Sequence, residues 1–350
     1  MGLASLIPEG WGPRGQVVTP AGGDPLTPAS SPMDDTQLAA HVAGVEDAIG
    51  TAIAYSLDSA SVHSLDGAGE VWAPDRAAQH NEIVDQVWAT AANVPNDGRA
   101  VFLVGPVGAD KGAALDADGS GVDAAEFLSI STDDIKAIMA ARGMAPEVPD
   151  STVQLSPMER TLLLHEEAGH VANLIGARAA ADGKNVLWDA ALGLTDSVTA
   201  RMEALRTEGY TEVRGVYVDV PIELAVARSQ ATYRADLEAF RSGTGQGGRY
   251  VPESTIRADA ASRFHSANRA NFEAIRDRFD DWQVWTDHVD GSPPALAYYR
   301  GAPNLDRLTE AAATGTAVVD VKRLPGTRAA LAAVLRREGL AGSPAMGGHR

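Results

Sequence analysis

The sequence predicts an α/β protein: a mostly parallel sheet covered by helices on both faces, with a helical extension at its N-terminus. Three observations carry this. Ala100 to Val104 is an apolar run too short for a buried helix, and it reads as an interior strand. From Phe127 to Val289, short apolar runs alternate strictly with segments of helical period, the pattern of right-handed crossovers and parallel strands. Ahead of residue 75 the only regular signal is helical, with Leu38, Val42, Val45, Ile49, Ile53 and Leu57 on one stripe.

Composition narrows the function classes. The chain has 350 residues, enough for one large α/β domain with appendages, and a formal net charge of −18. That balance argues against nucleic acid as a partner, because phosphate backbones demand clustered Lys and Arg. Any anionic substrate must be met by a few local arginines. The absence of cysteine excludes a disulfide framework, thiol catalysis and a cysteine-held metal. No run approaches membrane-spanning length and no basic-then-apolar leader is visible, so no membrane partner and a cytoplasmic location are expected.

Taken in order, residues 1–33 are rich in Pro, Gly, Ser and Thr and read as a flexible arm. Residues 34–74 form an acidic helical extension, with a helix over 35–57 and a loop over 58–74. The main domain is placed at 75–290. It opens with a helix from Pro74 or Asp75 to about Ala92, with Ile83, Val84, Val87 and Trp88 inward. A strand at 127–131 leads into a helix ending near Ala141. Ser156, Pro157 and Glu159 have the spacing that starts a helix, expected to run unbroken to about Asp182. Strand 185–188, helix 195–208, strand 213–220 and a helix from Pro221 to about Arg241 follow. A long helix to about Phe279 and a strand at 283–289 close the domain. Residues 291–350 form a C-terminal extension with a hairpin and a last helix near Ala329 to Arg337.

Three stretches invite chemistry. Gly105-Pro-Val-Gly108-Ala-Asp110-Lys111-Gly112 follows a strand and matches the phosphate-cradling pattern G-x-x-x-x-G-K-[ST] at its first glycine and its lysine. It departs at Asp110, where the second glycine belongs, and at Gly112, where the magnesium-binding hydroxyl belongs. Lys111 is one of only four lysines in the chain, which makes its register after the strand informative. Asp116 to Phe127 has the look of a calcium loop, but its glutamate, Glu126, falls one position short. His165-Glu-Glu-Ala-Gly-His170 suggests a zinc motif, yet histidines five apart on a helix point about 140° away from each other.

Further pieces are Gly121-Val-Asp123, Asp133-Asp134-Ile-Lys136, Arg142-Gly143 with Pro146, and Ser156-Pro-Met-Glu159. Later come His165-Glu-Glu-Ala168, Gly183-Lys-Asn-Val-Leu-Trp-Asp189, Val218-Asp-Val-Pro221, Gly247-Gly-Arg-Tyr-Val-Pro252 and Ser266-Ala-Asn-Arg269. In this order and spacing the chain resembles the zeta-toxin family, in its bacterial and phage-encoded branch, over roughly residues 75–290. The resemblance implies a P-loop kinase fold and phosphorylation of the 3′-hydroxyl of a UDP-N-acetylamino sugar, with ATP or GTP and Mg²⁺ as cofactors. It implies that Gly105, Gly108, Lys111 and Gly112 bind the nucleotide and that Asp133 is the base taking the hydroxyl proton. Arg249 would face the transferring phosphoryl group. Asp189, Glu167 and Asp134 would lie on the substrate side, and an antitoxin or a phage structural protein would be the protein partner. Read from the residues alone, Asp133 has a second reading as a helix N-cap, a job Asp134 could share.

The departures from the family concern the chemistry itself. Besides Asp110 and Gly112, the hydroxyl-bearing stretch after the third strand is Ala190-Ala191-Leu192-Gly193. The arginine expected on the helix after Pro221 is Thr232, with Arg228 and Arg234 nearby and Arg234 carried as the second catalytic arginine. Two readings stay open on this basis: a kinase with impaired activity, or an inactive relative serving as a binding or structural module.

Overall fold

A computed structural model describes residues 32–117, 120–258, 266–286, 294–300 and 318–319. Residues 1–31 of the expected arm over 1–33, and the helix expected near 329–337, lie outside the described residues.

In chain order the first elements are helices α1 (Asp35–Ala54), α2 (Ser59–His63) and α3 (Pro74–Ala89), strand β1 (Arg99–Val104) and helix α4 (Lys111–Asp116). Next come β2 (Leu128–Ser131), α5 (Thr132–Ala141), α6 (Pro157–Arg160), α7 (His165–Ala181) and β3 (Val186–Ala190). The remainder is α8 (Thr195–Thr207), β4 (Glu212–Asp219), α9 (Ile222–Arg241), α10 (Glu253–Ala258) and α11 (Ala267–Ile275), then β5 (Asp281–Thr286), β6 (Ala295–Arg300) and β7 (Val318–Val319). Contacts group these elements into two compact units.

The first unit takes the residues up to Asp97, Ala125–Asp189 and Val226–Thr255. Its strands β2 and β3 are parallel, with Ser131 opposite Asp189. Helix α1 is an integral part of this unit. Asp34 caps it through a reciprocal pair with Gln37, and Val45, Ile49 and Ala52 pack with Leu163, Tyr233, Leu237 and Tyr250. Polar keys set its register: His41 Nε2 lies 2.8 Å from Glu159 Oε1, and Tyr250 donates to Glu46 at 2.6 Å.

The second unit takes Gly98–Ala124, Ala190–Ala225 and the residues from Ile256 onward. Here β1 pairs parallel with β4 and β4 parallel with β5, while β6 runs antiparallel to β5. Such continuous apolar strands are those of a sheet buried on both faces. A ring cluster fills this core, with Phe272 stacked 5.0 Å from Tyr217 and edge-on to Trp282 at 6.2 Å.

Several expected elements are corrected. The helix over 157–182 is interrupted, because Thr161–Leu164 tightens into a 3₁₀ turn that turns Thr161, Leu163 and Leu164 inward. Helix α1 stops at Ala54 rather than 57, closed by a left-handed Ser56 and the bond from Leu57 N to Ala52 O, and Ile53 is left exposed. Residues 58–74 hold a short helix and a bridge between Ser64 and Trp72. The helix expected to run to Phe279 is not continuous, because Ser266 is extended (φ −153, ψ 151) and caps α11, its hydroxyl accepting from Arg269 N. Among the described residues no helix is long and apolar enough to cross a membrane.

Candidate functional site

In the first unit, an acidic candidate site grows from the end of β2. Ser131 caps α5 by accepting from Asp134 N at 3.2 Å, so the cap is a serine and the Asp133 side chain is released for other work. Asp133 Oδ1 accepts from Arg249 Nη1 at 2.8 Å, with the side chains 45% and 31% exposed. The loop that delivers Arg249 can do so because it holds glycines. Gly247 has φ +93, and a Cβ on Gly248 would lie 2.4 Å from the Tyr233 carbonyl oxygen of α9.

Asp134, one residue on, faces a different environment. Burial, then the neighbouring Asp189 and Asp133 carboxylates, push its carboxyl up from 3.8 to about 6, against a hydrogen bond from Ser131. A group whose folded value lies above its unfolded one loses stability as pH rises from about 4 through 6. That loss is present above this window and absent below it, and it is small because part of Asp134 stays in contact with solvent, which screens its interactions. Asp134→Asn is therefore expected to stabilise the protein at pH 8, by no more than about 1 kcal/mol because solvent screens the exposed part of the side chain, and by nothing at pH 4. Urea unfolding at the two pH values checks it.

Behind Asp133, Lys136 is only 7% exposed, and its Nζ lies 3.4 Å from His165 Nδ1. Glu167 and Arg234 are engaged elsewhere. Glu167 is fully buried, accepting from Arg76 Nε at 2.5 Å and lying 2.6 Å from His80 Nε2. Arg234 donates to Asp35 and to the Met33 carbonyl, each at 2.7 Å, which ties it to the start of α1.

In the second unit, the loop after β1 keeps the shape of a glycine-built cradle. A Cβ on Gly108 would come within 2.3 Å of the Ala225 carbonyl oxygen, and one on Gly105 within 2.6 Å of the Val218 carbonyl oxygen. Helix α4 then begins at Lys111. Asp110 has φ 48 and ψ 52, a left-handed conformation that glycine adopts freely, and its carboxylate makes no capping bond. Position 110 therefore carries a carboxylate on a left-handed backbone, and position 112 carries no side-chain hydroxyl. Among the described residues no group of three or more His, Asp or Glu could hold a metal ion.

The stretch Ala191–Gly193 is held by the amides of α11. Asn268 Nδ2 donates to the Ala191 carbonyl, and Asn271 Nδ2 to the Leu192 and Gly193 carbonyls at 3.0 and 2.9 Å. This explains the asparagine of Ser266-Ala-Asn-Arg269 as a loop clamp, a role that short-range pattern could not reveal. Lys136 and His165 were visible only as members of motifs.

A family model described as zeta toxin matches residues 86–287. No curated protein matches the chain. Among solved structures, a chain from the PezAT chromosomal toxin–antitoxin system of Streptococcus pneumoniae shares 14% identity. The match covers 78% of this chain and 98% of that one, with a TM-score of 0.45. A chain of AvrRxo1-ORF1:-ORF2, solved with ATP, shares 15% identity and covers 71% and 74% respectively, with a TM-score of 0.49.

Proposed function

The chain belongs to the zeta toxin family, and from that premise we propose that it is a kinase-type protein whose acceptor is a UDP-N-acetylamino sugar and whose phosphoryl transfer is impaired. The observation that carries this reading is the 2.8 Å contact between Asp133 and Arg249. A carboxylate base and a guanidinium side by side are what transfer to a hydroxyl needs: one takes the proton at the 3′-oxygen, and the other neutralises charge developing on the incoming group. Asp134 and Asp189 lie on the sugar side of Asp133 in this reading. When bound, ATP with Mg²⁺ would supply the phosphoryl group.

Impairment is supported by the loop. An ionised carboxylate about 5 Å from a phosphate charge costs about 3 kcal/mol at an effective dielectric of 20, less where water screens it. The loss of the hydroxyl at position 112 adds to this. The same feature favours a second reading, in which the protein binds the sugar nucleotide without turning it over and serves as a binding or structural module, in a phage particle among other settings. An antitoxin as protein partner and a cytoplasmic setting belong to the family reading.

Calorimetry with UDP-N-acetylglucosamine and with ATP, each with and without Mg²⁺, tests the proposal together with a turnover assay. The sugar nucleotide is expected to bind, ATP to bind weakly, and phosphorylation to be slow or nil. Robust turnover would overturn the impairment, and no binding of the sugar nucleotide would overturn the acceptor assignment.

A further inference from the structure

The stretch His165-Glu-Glu-Ala-Gly-His170 does not suit zinc, and the proposed transfer leaves its histidines unused. Its side chains go to different places. His170 sits 5.6 Å from the Trp72 ring and 5.4 Å from the His80 ring, and Glu167 holds Arg76. His165, at the first turn of α7, reaches Lys136 instead.

Lys136 is an unusual residue to find where it is. An amine is rarely buried without a partner, because taking its charge out of water is costly. It stands three residues after Asp133 on α5, which places the two on one helix face. An ammonium group has only donors, so in this contact His165 Nδ1 must accept and the imidazole proton must sit on Nε2. His165 is thereby fixed as a neutral ring that aims the lysine.

We propose that Lys136, oriented by His165, is a positioning residue for Asp133: from the same face of α5 it acts with Arg249 to hold that carboxylate turned to receive the hydroxyl proton. This rests on the kinase-type reading of Asp133. The titratable and charged groups around the lysine agree with it. Burial pulls Lys136 down, Asp133 and Glu166 draw it up, and Arg249 opposes them. Burial and then Lys136 hold His165 down, against Glu166 and Asp133. Asp134, which faces Asp189, lacks this pair of cations.

The test follows the carboxyl carbons of Asp133 and Asp134 and the ring nitrogens of His165 by NMR titration in the wild-type chain, in Lys136→Met and in Lys136→Arg. Lys136→Met is expected to raise the Asp133 midpoint by about half a pH unit or more, as loss of a neighbouring cation should. The same change should raise the His165 midpoint, and Lys136→Arg should bring Asp133 back. An Asp133 midpoint that stays put in Lys136→Met, or fails to return in Lys136→Arg, overturns the proposal. If Lys136→Met does not fold, the wild-type spectrum decides: a His165 ring carrying its neutral-pH proton on Nδ1 is incompatible with the contact, and one carrying it on Nε2 supports it. None of these readouts needs ligand or turnover, so a failure here is separate from a failure to bind the sugar nucleotide.

Discussion

Replacing Glu167 with glutamine is expected to destabilise the protein by about 3–5 kcal/mol, the cost of leaving a buried charge without its counter-charge. Glu167 is fully buried, and Arg76, beside it, is almost so. The guanidinium donates through Nε and Nη2 to both carboxylate oxygens at 2.5 and 2.8 Å, and Nη2 also reaches the Met144 carbonyl at 2.8 Å. Burial alone would raise the Glu167 carboxyl. The hydrogen bonds from His80 and Arg76 and the arginine's charge outweigh it and hold the group at about 2. Its folded value thus lies below the unfolded one of 4.5, so its contribution is full above pH 4.5 and fades as pH falls through about 2.

Urea unfolding should therefore show Glu167→Gln well below the wild type at pH 7 and converging with it toward pH 2. The double variant Glu167→Gln with Arg76→Met should lose less than the two single losses added together, since it removes both members of the pair. Strictly additive losses would mean that the two side chains are not coupled. Binding of UDP-N-acetylglucosamine by the folded variant is expected to match the wild type. A lost affinity would return Glu167 to the substrate side.

How much of this was legible in advance depended on the range of the interaction. β1 was readable because five consecutive apolar residues bounded by polar ones have few other fates, and α9 because its apolar period runs unbroken between a proline and a glycine. The 3₁₀ interruption at Thr161–Leu164 was not, since its leucines fit an α-helical stripe equally well. At the start of α5, Asp133 and Asp134 were the residues read as able to cap, and Ser131 was not among them. Only the observed bond to Ser131 shows that the serine does so, and only the partner Arg249, 116 residues away, shows what Asp133 does instead. Lys136 was the least readable of the site residues, because a lysine in a helix defaults to the surface. Its burial beside His165 is a property of α5 and α7 packing together. The partners of Glu167 were hidden for the same reason: they lie 91 and 87 residues earlier, on a helix whose sequence reads as plain packing.

The paired change Asp110→Gly with Gly112→Ser is expected to raise ATP affinity at least tenfold, on the order of the repulsion that an exposed carboxylate exerts on a phosphate charge. The local structure accepts both substitutions. Position 110 already has a glycine-type backbone, so its replacement relieves about 1 kcal/mol of left-handed strain along with the charge. A side chain at position 112 meets nothing within 4 Å, so serine fits without displacement. The single changes separate the contributions. Asp110→Asn keeps a side chain in the left-handed conformation but removes the charge, and should gain affinity with or without Mg²⁺. Gly112→Ser alone should gain only when Mg²⁺ is present, because its hydroxyl acts through the ion. Turnover on UDP-N-acetylglucosamine is expected to rise less than affinity, since Ala191 and Thr232 stand where the family has a hydroxyl-bearing residue and an arginine. Calorimetry on the four proteins measures this directly. A paired variant that binds ATP no better than the wild type would mean that the loop around Lys111 is not a phosphate site, whatever the shape of its backbone.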